Sequence, residues 1–228
     1  GSQPVQRNLY ERVEVLYVDE AGQASEAALL ITYGLLPKNV ILVGDPHQLP
    51  AFITSETGQR NGCSESLMAR LINAPISFPC HLLDTQYRMH PEICRLPNRL
   101  FYEGKLQNSS WVKSQRTHDV HNTMRTNLLK NGKTSLPAFL RGPVAFVDVV
   151  GNEAGGRGGQ SISNYSEALL IARLCKYLQN QCGIHLRRQV CVITFYSAQA
   201  SLIQAELRKL GLGDNLRYCV STVDAFQG

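Results

Sequence analysis

Short apolar runs alternate with amphipathic segments along most of the chain. Apolar runs rich in β-branched residues are typical of buried strands, and they occupy residues 13–18, 40–43, 81–83, 144–149, 190–195 and 218–223. Segments with helical periodicity and capping residues predict helices, here at 25–36, 64–72, 164–181 and 197–211. This alternation predicts the α/β class, with a parallel sheet that helices cover on both faces.

Individual residues set where several of these elements begin or end. Asn164 and Ser197 are the predicted N-terminal caps of the last two helices. The helical pattern of 91–101 contains Pro97, which is expected to end or kink that helix. Five glycines in 151–159 predict a flexible loop. Residues 106–141 show the weakest periodicity and are predicted to be irregular.

A change of composition near Ala74 and Pro75 places the predicted domain junction there. Residues 3–75 are then the C-terminal part of a first domain. Residues 76–228 are the N-terminal part of a second domain, with 106–141 as an insertion. Residues 1–2 are typical of a remnant of tag removal, so we expect the chain to be a piece of a larger protein.

The composition restricts the class of protein. Of the 228 residues, 43% are apolar and 18% are charged, as in ordinary globular domains. No apolar run is long enough for a transmembrane helix, and no signal region opens the chain, so no membrane partner is expected. The seven cysteines form no Cys-x-x-Cys pair, which argues against a zinc site and a disulfide framework. A reducing compartment, cytoplasmic or nuclear, is the expected location.

The positive charge is concentrated in one stretch. Between Lys105 and Arg141 there are seven basic residues and one acid, Asp119, which gives +6, whereas the whole chain carries +5. Two interpretations remain open: a solvated insertion, or an arm that binds a polyanion. Trp111, His118 and His121 offer rings in the same stretch for stacking on bases.

Polar residues at the ends of predicted parallel strands are candidates for chemistry, since ligands bind at the carboxyl ends of such strands. Asp19 and Glu20 follow the first strand. One carboxylate of such a pair can hold a phosphate-bound Mg²⁺, and the other can orient and deprotonate water. The alternative is a plain helix cap.

Three further strings have similar positions. Asp45 and Gln48 lie in GDPHQLP (44–50), which follows the second strand and is otherwise a loop of turn-forming residues. Arg88 in QYRMHP (86–91) precedes a helix and can reach a phosphate, although an isolated arginine is more often a surface residue. Ser221 and Thr222 end the last strand, where hydroxyls and turn amides can bind a phosphodiester backbone.

The strings DEAGQ, GDPHQLP, QYRMHP and TVDAFQG occur in this order at 19–23, 44–50, 86–91 and 222–228. In this order they resemble the up-frameshift-like group of superfamily 1 helicases, including its senataxin-related members. ITFYSAQ at 193–199 is similar to a further family element, in which Phe195 is unusual. The resemblance covers 13–104 and 143–228, and it does not explain 106–141.

The resemblance implies parts of two RecA-like domains, with ATP between them, and single-stranded RNA or an RNA–DNA hybrid as partner. Protein partners in RNA processing or decay are a further expectation. Residue by residue, the resemblance assigns these roles: Mg²⁺ to Asp19, water activation to Glu20, nucleotide contact to Asp45, γ-phosphate sensing to Gln48, adenine packing to Tyr87, an arginine finger to Arg88, and nucleic-acid contact to Ser197, Gln199, Ser221 and Thr222.

The departures from the family pattern concern the phosphate-binding loop. Family members carry Gly-x-x-x-x-Gly-Lys-Ser/Thr upstream of DEAGQ, and the 228 residues do not contain it there. Gly132-Lys133-Thr134 lacks the first glycine, because residue 127 is Asn, and it follows no predicted strand. The glutamate and the arginine motif that follow TVDAFQG in the family are also missing. We therefore expect the parent protein to be an ATPase and these residues alone to be inactive.

Two other functions are consistent with parts of the pattern. A non-catalytic module derived from a helicase would bind nucleic acid or protein without hydrolysing ATP, and a native chain without the phosphate-binding loop would favour it. The intact Asp19, Glu20, Gln48 and Arg88 argue for the enzyme. An unrelated P-loop kinase would not need QYRMHP or TVDAFQG, so it is the weakest of the three.

Overall fold

The computed structural model describes residues 13–115, 119–132, 137, 140–155, 161–212 and 220–226, without the side chains of 115 and 119–122. The chain divides into two compact units, Gly1–Leu82 and Leu83–Gly228, which are described separately below. Among the sequence predictions, the strand at 218–223 falls partly outside the described residues, as do the loop at 151–159 and Lys133-Thr134.

In the described part of the first unit the elements run β1 (Val15–Val18), α1 (Glu26–Tyr33), β2 (Asn39–Leu42), α2 (Glu56–Arg60) and α3 (Leu67–Ile72). β1 and β2 pair in parallel, with Val15 opposite Asn39 and Val18 opposite Leu42. The hydroxyl of Ser25 caps α1 by accepting a hydrogen bond from the backbone N–H of Ala28. The two strands and the helix between them form a β–α–β unit. Because the strands are parallel, their carboxyl ends lie at the same edge.

The described part of the second unit begins with β3 (Thr85–Gln86), α4 (Pro91–Phe101), β4 (Gln107–Asn108), α5 (Ser110–Gln115) and α6 (Asp119–Lys130). It continues with β5 (Glu153–Gly155), β6 (Ile162–Asn164), α7 (Tyr165–Cys182), α8 (Leu186–Gln189), β7 (Val192–Thr194), α9 (Ser197–Lys209), β8 (Val220–Thr222) and α10 (Val223–Phe226). β3 pairs with β4 and β7 with β8 in parallel, whereas β5 and β6 are antiparallel.

The main core of the second unit lies between α7, α9 and the β7–β8 pair. It is built from small and aliphatic side chains: Ala168, Ala172, Cys175, Leu186, Ala200, Ile203, Leu207, Leu212 and Val220. Alanines on α7 allow α9 to approach closely, and Ile203 and Leu207 fill the space between them. The α/β class predicted from the sequence is confirmed, with the parallel pairs that it requires.

Several predicted elements need correction. Residues 81–83 are not in a strand; pairing begins at Thr85, because both the backbone carbonyl and the carboxylate of Asp84 bond Gln107, at 2.7 and 2.8 Å. Residues 144–149 pair with no described strand, and Phe146 is 93% exposed. An apolar run forms a strand only where a neighbour supplies hydrogen bonds, which the run itself does not specify.

The helix boundaries show two more differences, at Pro97 and Ser197, and one agreement, at Asn164. Pro97 lies inside α4 and does not end it. The side chain of Asn98, beside it, exchanges two hydrogen bonds with the backbone of Leu106, at 3.0 and 2.9 Å, and these stabilise the second half of the helix. Asn164 caps α7 as predicted. Ser197, however, is the first residue of α9 and not its cap, since Tyr196 precedes it as a cap without a side-chain bond.

The described residues of the stretch 106–141 are mostly not irregular, contrary to the prediction. It contains β4, α5 and α6, and Val112 and Leu128 are buried. Its helical pattern is weak because the buried face of α6 is narrow and is flanked by asparagines. These asparagines form hydrogen bonds to the rest of the unit.

Candidate functional site

The DEAGQ loop follows β1 directly. One oxygen of the Asp19 carboxylate accepts a hydrogen bond from the backbone N–H of Glu20 at 2.9 Å. Glu20 has a φ of 51°, in the left-handed region that side-chain-bearing residues seldom adopt. Gln23 stabilises this turn twice: its backbone N–H donates to the Glu20 carbonyl at 2.9 Å, and its side-chain amide donates to the Glu20 carboxylate at 3.1 Å. The loop therefore holds the exposed Glu20 carboxylate in one orientation, at a cost in backbone strain.

The GDPHQLP loop follows β2 and is organised around Asp45. One carboxylate oxygen accepts from the backbone N–H of His47 and the other from the side-chain amide of Gln48, both at 3.0 Å. The backbone N–H of Gln48 also donates to the carbonyl of Asp45, at 3.3 Å. Asp45 thus orients the Gln48 amide, and both side chains lie just beyond the carboxyl end of β2.

The two loops touch through their backbones. The N–H of Ala21 donates to the carbonyl of Val43 at 2.9 Å. A Cβ added to Gly22 would lie 2.4 Å from the carbonyl oxygen of Asp45, and one added to Gly44 would lie 2.8 Å from the nitrogens of Ala21 and Gly22. Both positions therefore require glycine. This close approach brings Asp19 and Glu20 to the same edge as Asp45 and Gln48.

The QYRMHP loop in the second unit is folded around the side chain of Gln86. Its carbonyl oxygen accepts from the backbone N–H groups of Arg88 and Met89, at 2.9 and 2.7 Å. Its amide nitrogen donates to the carbonyl of Met89 at 2.8 Å and to the side chain of Asn108, on β4, at 2.6 Å. One half-buried side chain therefore uses its donors and its acceptor to fix the turn that carries Arg88 and the exposed Tyr87.

Hydroxyl groups collect at the carboxyl ends of β7 and β8. Thr194 and Thr222 are direct partners in the parallel pair. The hydroxyl of Ser161 lies 3.3 Å from that of Ser197 and accepts from the N–H of Ala198 at 2.9 Å, so it caps α9 from outside the helix. Of the residues predicted here, the structure brings Ser197, Ser221 and Thr222 to this edge. It adds Thr194, which lies in ITFYSAQ but was assigned no role, and Ser161, which lies in none of the motifs. We call the edge that carries these five residues the hydroxyl edge.

Gln199 has a different position from the one predicted. Its side chain is 5% exposed, its oxygen accepts from the N–H of Asn164 at 2.8 Å, and its nitrogen donates to the Asn164 carbonyl at 3.3 Å and to the Glu167 carboxylate at 3.2 Å. The prediction that this side chain contacts nucleic acid is therefore corrected. The buried Gln199 side chain instead connects the beginning of α9 to the beginning of α7 through these three hydrogen bonds.

No group of three or more His, Cys, Asp or Glu side chains that can hold a metal ion occurs in the described ranges. A nucleotide-bound Mg²⁺ needs only one or two protein carboxylates, because water and phosphate oxygens complete its coordination. The exposed carboxylate of Asp19 fits this requirement. Burial raises the pKa of the Cys94 thiol in α4, so this cysteine near the Arg88 loop is not an activated nucleophile.

The sequence also matches known protein families. Residues 63–228 match a family model described as an AAA domain, and residues 2–56 match a second model of the same description. Within the part of the chain that the structure describes, no helix has the length and apolar character needed to cross a membrane.

Three curated proteins are similar to nearly the whole chain. It is 33% identical over 221 residues to the probable helicase MAGATAMA 3 of Arabidopsis thaliana, covering 94% of this chain and 25% of that protein. It is 34% identical over 229 residues to the ATP-dependent helicase NAM7 of Saccharomyces cerevisiae, covering 97% and 21%. It is 31% identical over 224 residues to the probable helicase senataxin of Mus musculus, covering 92% and 8%. The chain thus spans a quarter or less of the length of these relatives.

Proposed function

Because the chain belongs to the AAA-domain family and, within it, to the up-frameshift-like superfamily 1 helicases, we propose that its full-length protein is an ATP-dependent helicase or translocase on nucleic acid. We further propose RNA or an RNA–DNA hybrid as the substrate. The observation that carries the proposal is the contact between the two loops at the ends of β1 and β2. It brings an acid pair and an oriented amide to one edge of a parallel pair.

The reaction that fits these residues is transfer of the γ-phosphoryl group of ATP to water. Asp19 would hold the Mg²⁺, which neutralises phosphate charge when bound. Glu20, restrained by Gln23, orients the attacking water and accepts its proton. Gln48, oriented by Asp45, contacts the γ-phosphate and responds to its loss.

We propose further roles for Arg88, Tyr87 and the hydroxyl edge. Arg88 would stabilise the negative charge that develops on the transferred group, and Tyr87 offers an exposed ring for the base. The hydroxyls of Ser161, Thr194, Ser197, Ser221 and Thr222 are suited to hydrogen bonds with a phosphodiester backbone. Cycles of ATP binding and hydrolysis would move the strand along this edge.

The proposed location is the cytosol or the nucleus, and the proposed protein partners act in RNA processing or decay. Cys63 and Cys80 are exposed free thiols, which a reducing compartment keeps in that state. This part of the proposal is tested by the cellular distribution of the full-length protein.

The test of the activity is ATP hydrolysis by the full-length protein, with and without single-stranded RNA. We expect RNA-stimulated turnover that Glu20→Gln lowers by about 100-fold or more, the usual contribution of a general base. Glu14→Gln is the matched control, because Glu14 is an exposed acid that pairs with Lys38 beyond the opposite end of β1. Absence of turnover with intact RNA binding would instead favour the non-catalytic module.

A further inference from the structure

The helix α6 is attached to the body of the second unit by an apolar contact. Met124 and Leu128, which are 7% and 1% exposed, pack with Cys182 and Ile184, and Val190 lies against the same cluster. These partners belong to the end of α7 and to the segment between α7 and β7. The helix is therefore part of the folded unit, which the family resemblance did not explain.

Two asparagines of the α6 segment add hydrogen bonds at the same contact. The side-chain amide of Asn127 donates to the carbonyl of Cys182 at 3.0 Å, and that of Asn131 donates to the carbonyl of Gln181 at 3.1 Å. These are carbonyls at the C-terminal end of α7, which have no partner within the helix. Gly183 has a φ of 66°, and a Cβ there would lie 2.4 Å from the Asn127 nitrogen, so the contact is close.

This position is far from the hydroxyl edge. The beginning of α7 lies at that edge, since Asn164 is bonded to Gln199 and Ser161 caps α9. α6 contacts the opposite end of α7, beyond 18 residues of helix. At 1.5 Å per residue this separation is about 27 Å, which stacked nucleotides cover in about eight steps at 3.4 Å each.

Exposed cations lie on both sides of the α6 contact. Arg125 and Lys130 on α6 are exposed, as are Arg187 and Arg188 on α8, whose flanking residues Ile184 and Val190 pack against α6. The sequence holds no acid at 120–147 or at 168–205. We call Arg125, Lys130, Arg187 and Arg188 the α6–α8 basic surface.

We propose that the α6–α8 basic surface is a second nucleic-acid contact, which binds the phosphates of a single strand beyond the hydroxyl edge. The inference rests on the proposed function, because that function supplies the strand. Thr126 is exposed on α6 beside Arg125, and hydroxyl groups commonly accompany arginine and lysine at phosphate contacts. An acidic protein segment is the other partner that this charge would suit, and the experiment below distinguishes it.

The test compares two single-stranded RNAs bound to the full-length protein. One RNA of about 10 nucleotides fits the hydroxyl edge alone, and one of about 30 nucleotides also reaches the basic surface. The variant Arg125→Glu/Lys130→Glu/Arg188→Glu is compared with Lys38→Glu/Arg60→Glu/Lys105→Glu. The control makes the same change of net charge at exposed lysines and arginines that form ion pairs elsewhere.

For the wild type and the control we expect tighter binding of the longer RNA. In the variant we expect affinity for the longer RNA to fall about tenfold, with a salt-dependence slope about two units shallower, since three phosphate contacts are lost. Affinity for the shorter RNA, and the hydrolysis that it stimulates, should stay unchanged. Equal losses on both RNAs, or no loss on either, would overturn the inference.

Two further results distinguish failure of this inference from failure of the proposed function. If a polyglutamate peptide binds the wild type but not the variant, while both bind the longer RNA equally, the surface accepts acidic protein and the inference is wrong. If the shorter RNA neither binds nor stimulates hydrolysis in the wild type, the proposed function itself fails. Protection of Cys182 from alkylation in the variant confirms that α6 is still attached.

Discussion

The loops that carry Glu20 and Gln48 differ from the loop that carries Arg88 in what holds them. In the first unit, the two loops are held by backbone contacts. The N–H of Ala21 donates to the carbonyl of Val43, and the backbone of Asp45 lies so close to Gly22 that a side chain would not fit there. In the second unit, one side chain, Gln86, supplies the contacts of the turn. A backbone contact is broken by adding atoms and a side-chain contact by removing them, so the two loops should respond to opposite kinds of substitution.

Gly22→Ala should have the largest effect. Its new Cβ would lie 2.4 Å from a backbone oxygen that cannot rotate away, so both loops must shift. A displacement of about 1 Å can lower turnover about 100-fold, and we expect a loss of that size in RNA-stimulated ATP hydrolysis by the full-length protein. Gly155→Ala is the control, since nothing lies within 4 Å of the added carbon there. Wild-type turnover in Gly22→Ala would contradict the proposed contact.

Gln86→Leu should have the next largest effect, lowering kcat about tenfold because the groups that fix the Arg88 turn lose their partner. Gln86→Glu keeps the acceptor for the N–H groups of Arg88 and Met89 but loses the donor to Asn108 and to the Met89 carbonyl. Its kcat should therefore fall between that of the wild type and that of Gln86→Leu. The loss should vanish in an Arg88→Ala background, because Gln86 acts through Arg88. Additive losses in the double variant would show that Gln86 acts by another route.

Gln23→Ala should have a smaller effect, about threefold on kcat, because it removes one exposed hydrogen bond to the Glu20 carboxylate while the backbone bond remains. The measurement is kcat at saturating ATP and RNA, with Gln59→Ala as a control for loss of an exposed glutamine amide. A loss as large as that of Glu20→Gln would mean that the backbone alone does not hold this loop.

Leu128→Ala should have the smallest effect on turnover, within about twofold, because the α6 contact is far from the hydroxyl edge and is not part of either loop. Burial raises the pKa of the Cys182 thiol, which keeps it in the unreactive neutral form. The substitution should expose this thiol, lower its pKa towards the ordinary value and speed its alkylation, measured by peptide mass spectrometry. Unchanged alkylation would contradict the packing of α6 on Cys182.

The sequence predicted the positions of the chemical groups better than it predicted what holds them. Asp19, Glu20, Asp45 and Gln48 follow apolar runs that are local in the chain, and their grouping follows from the parallel pairing of β1 and β2. The partners of Gln86 and Gln199 include residues 22 and 35 positions away. Such contacts depend on how elements pack, which periodicity does not specify.

The helix α6 was missed for a related reason. Its buried face contains Met124 and Leu128, with Asn127 beside them, and a short apolar stripe interrupted by amides resembles an irregular polar segment. The amides bond the free carbonyls at the end of α7, so they favour packing. This role of the amides can be recognised only once the position of α7 is known.

The measurement that tests the central claim most directly is strand separation by the full-length protein on a duplex with a single-stranded RNA tail. We predict that the wild type separates the strands only when ATP and Mg²⁺ are present, and that Glu20→Gln binds the tailed duplex equally well but leaves it paired. Equal strand separation by Glu20→Gln, or separation by the wild type without ATP, would contradict a motor driven by the acid pair at the end of β1.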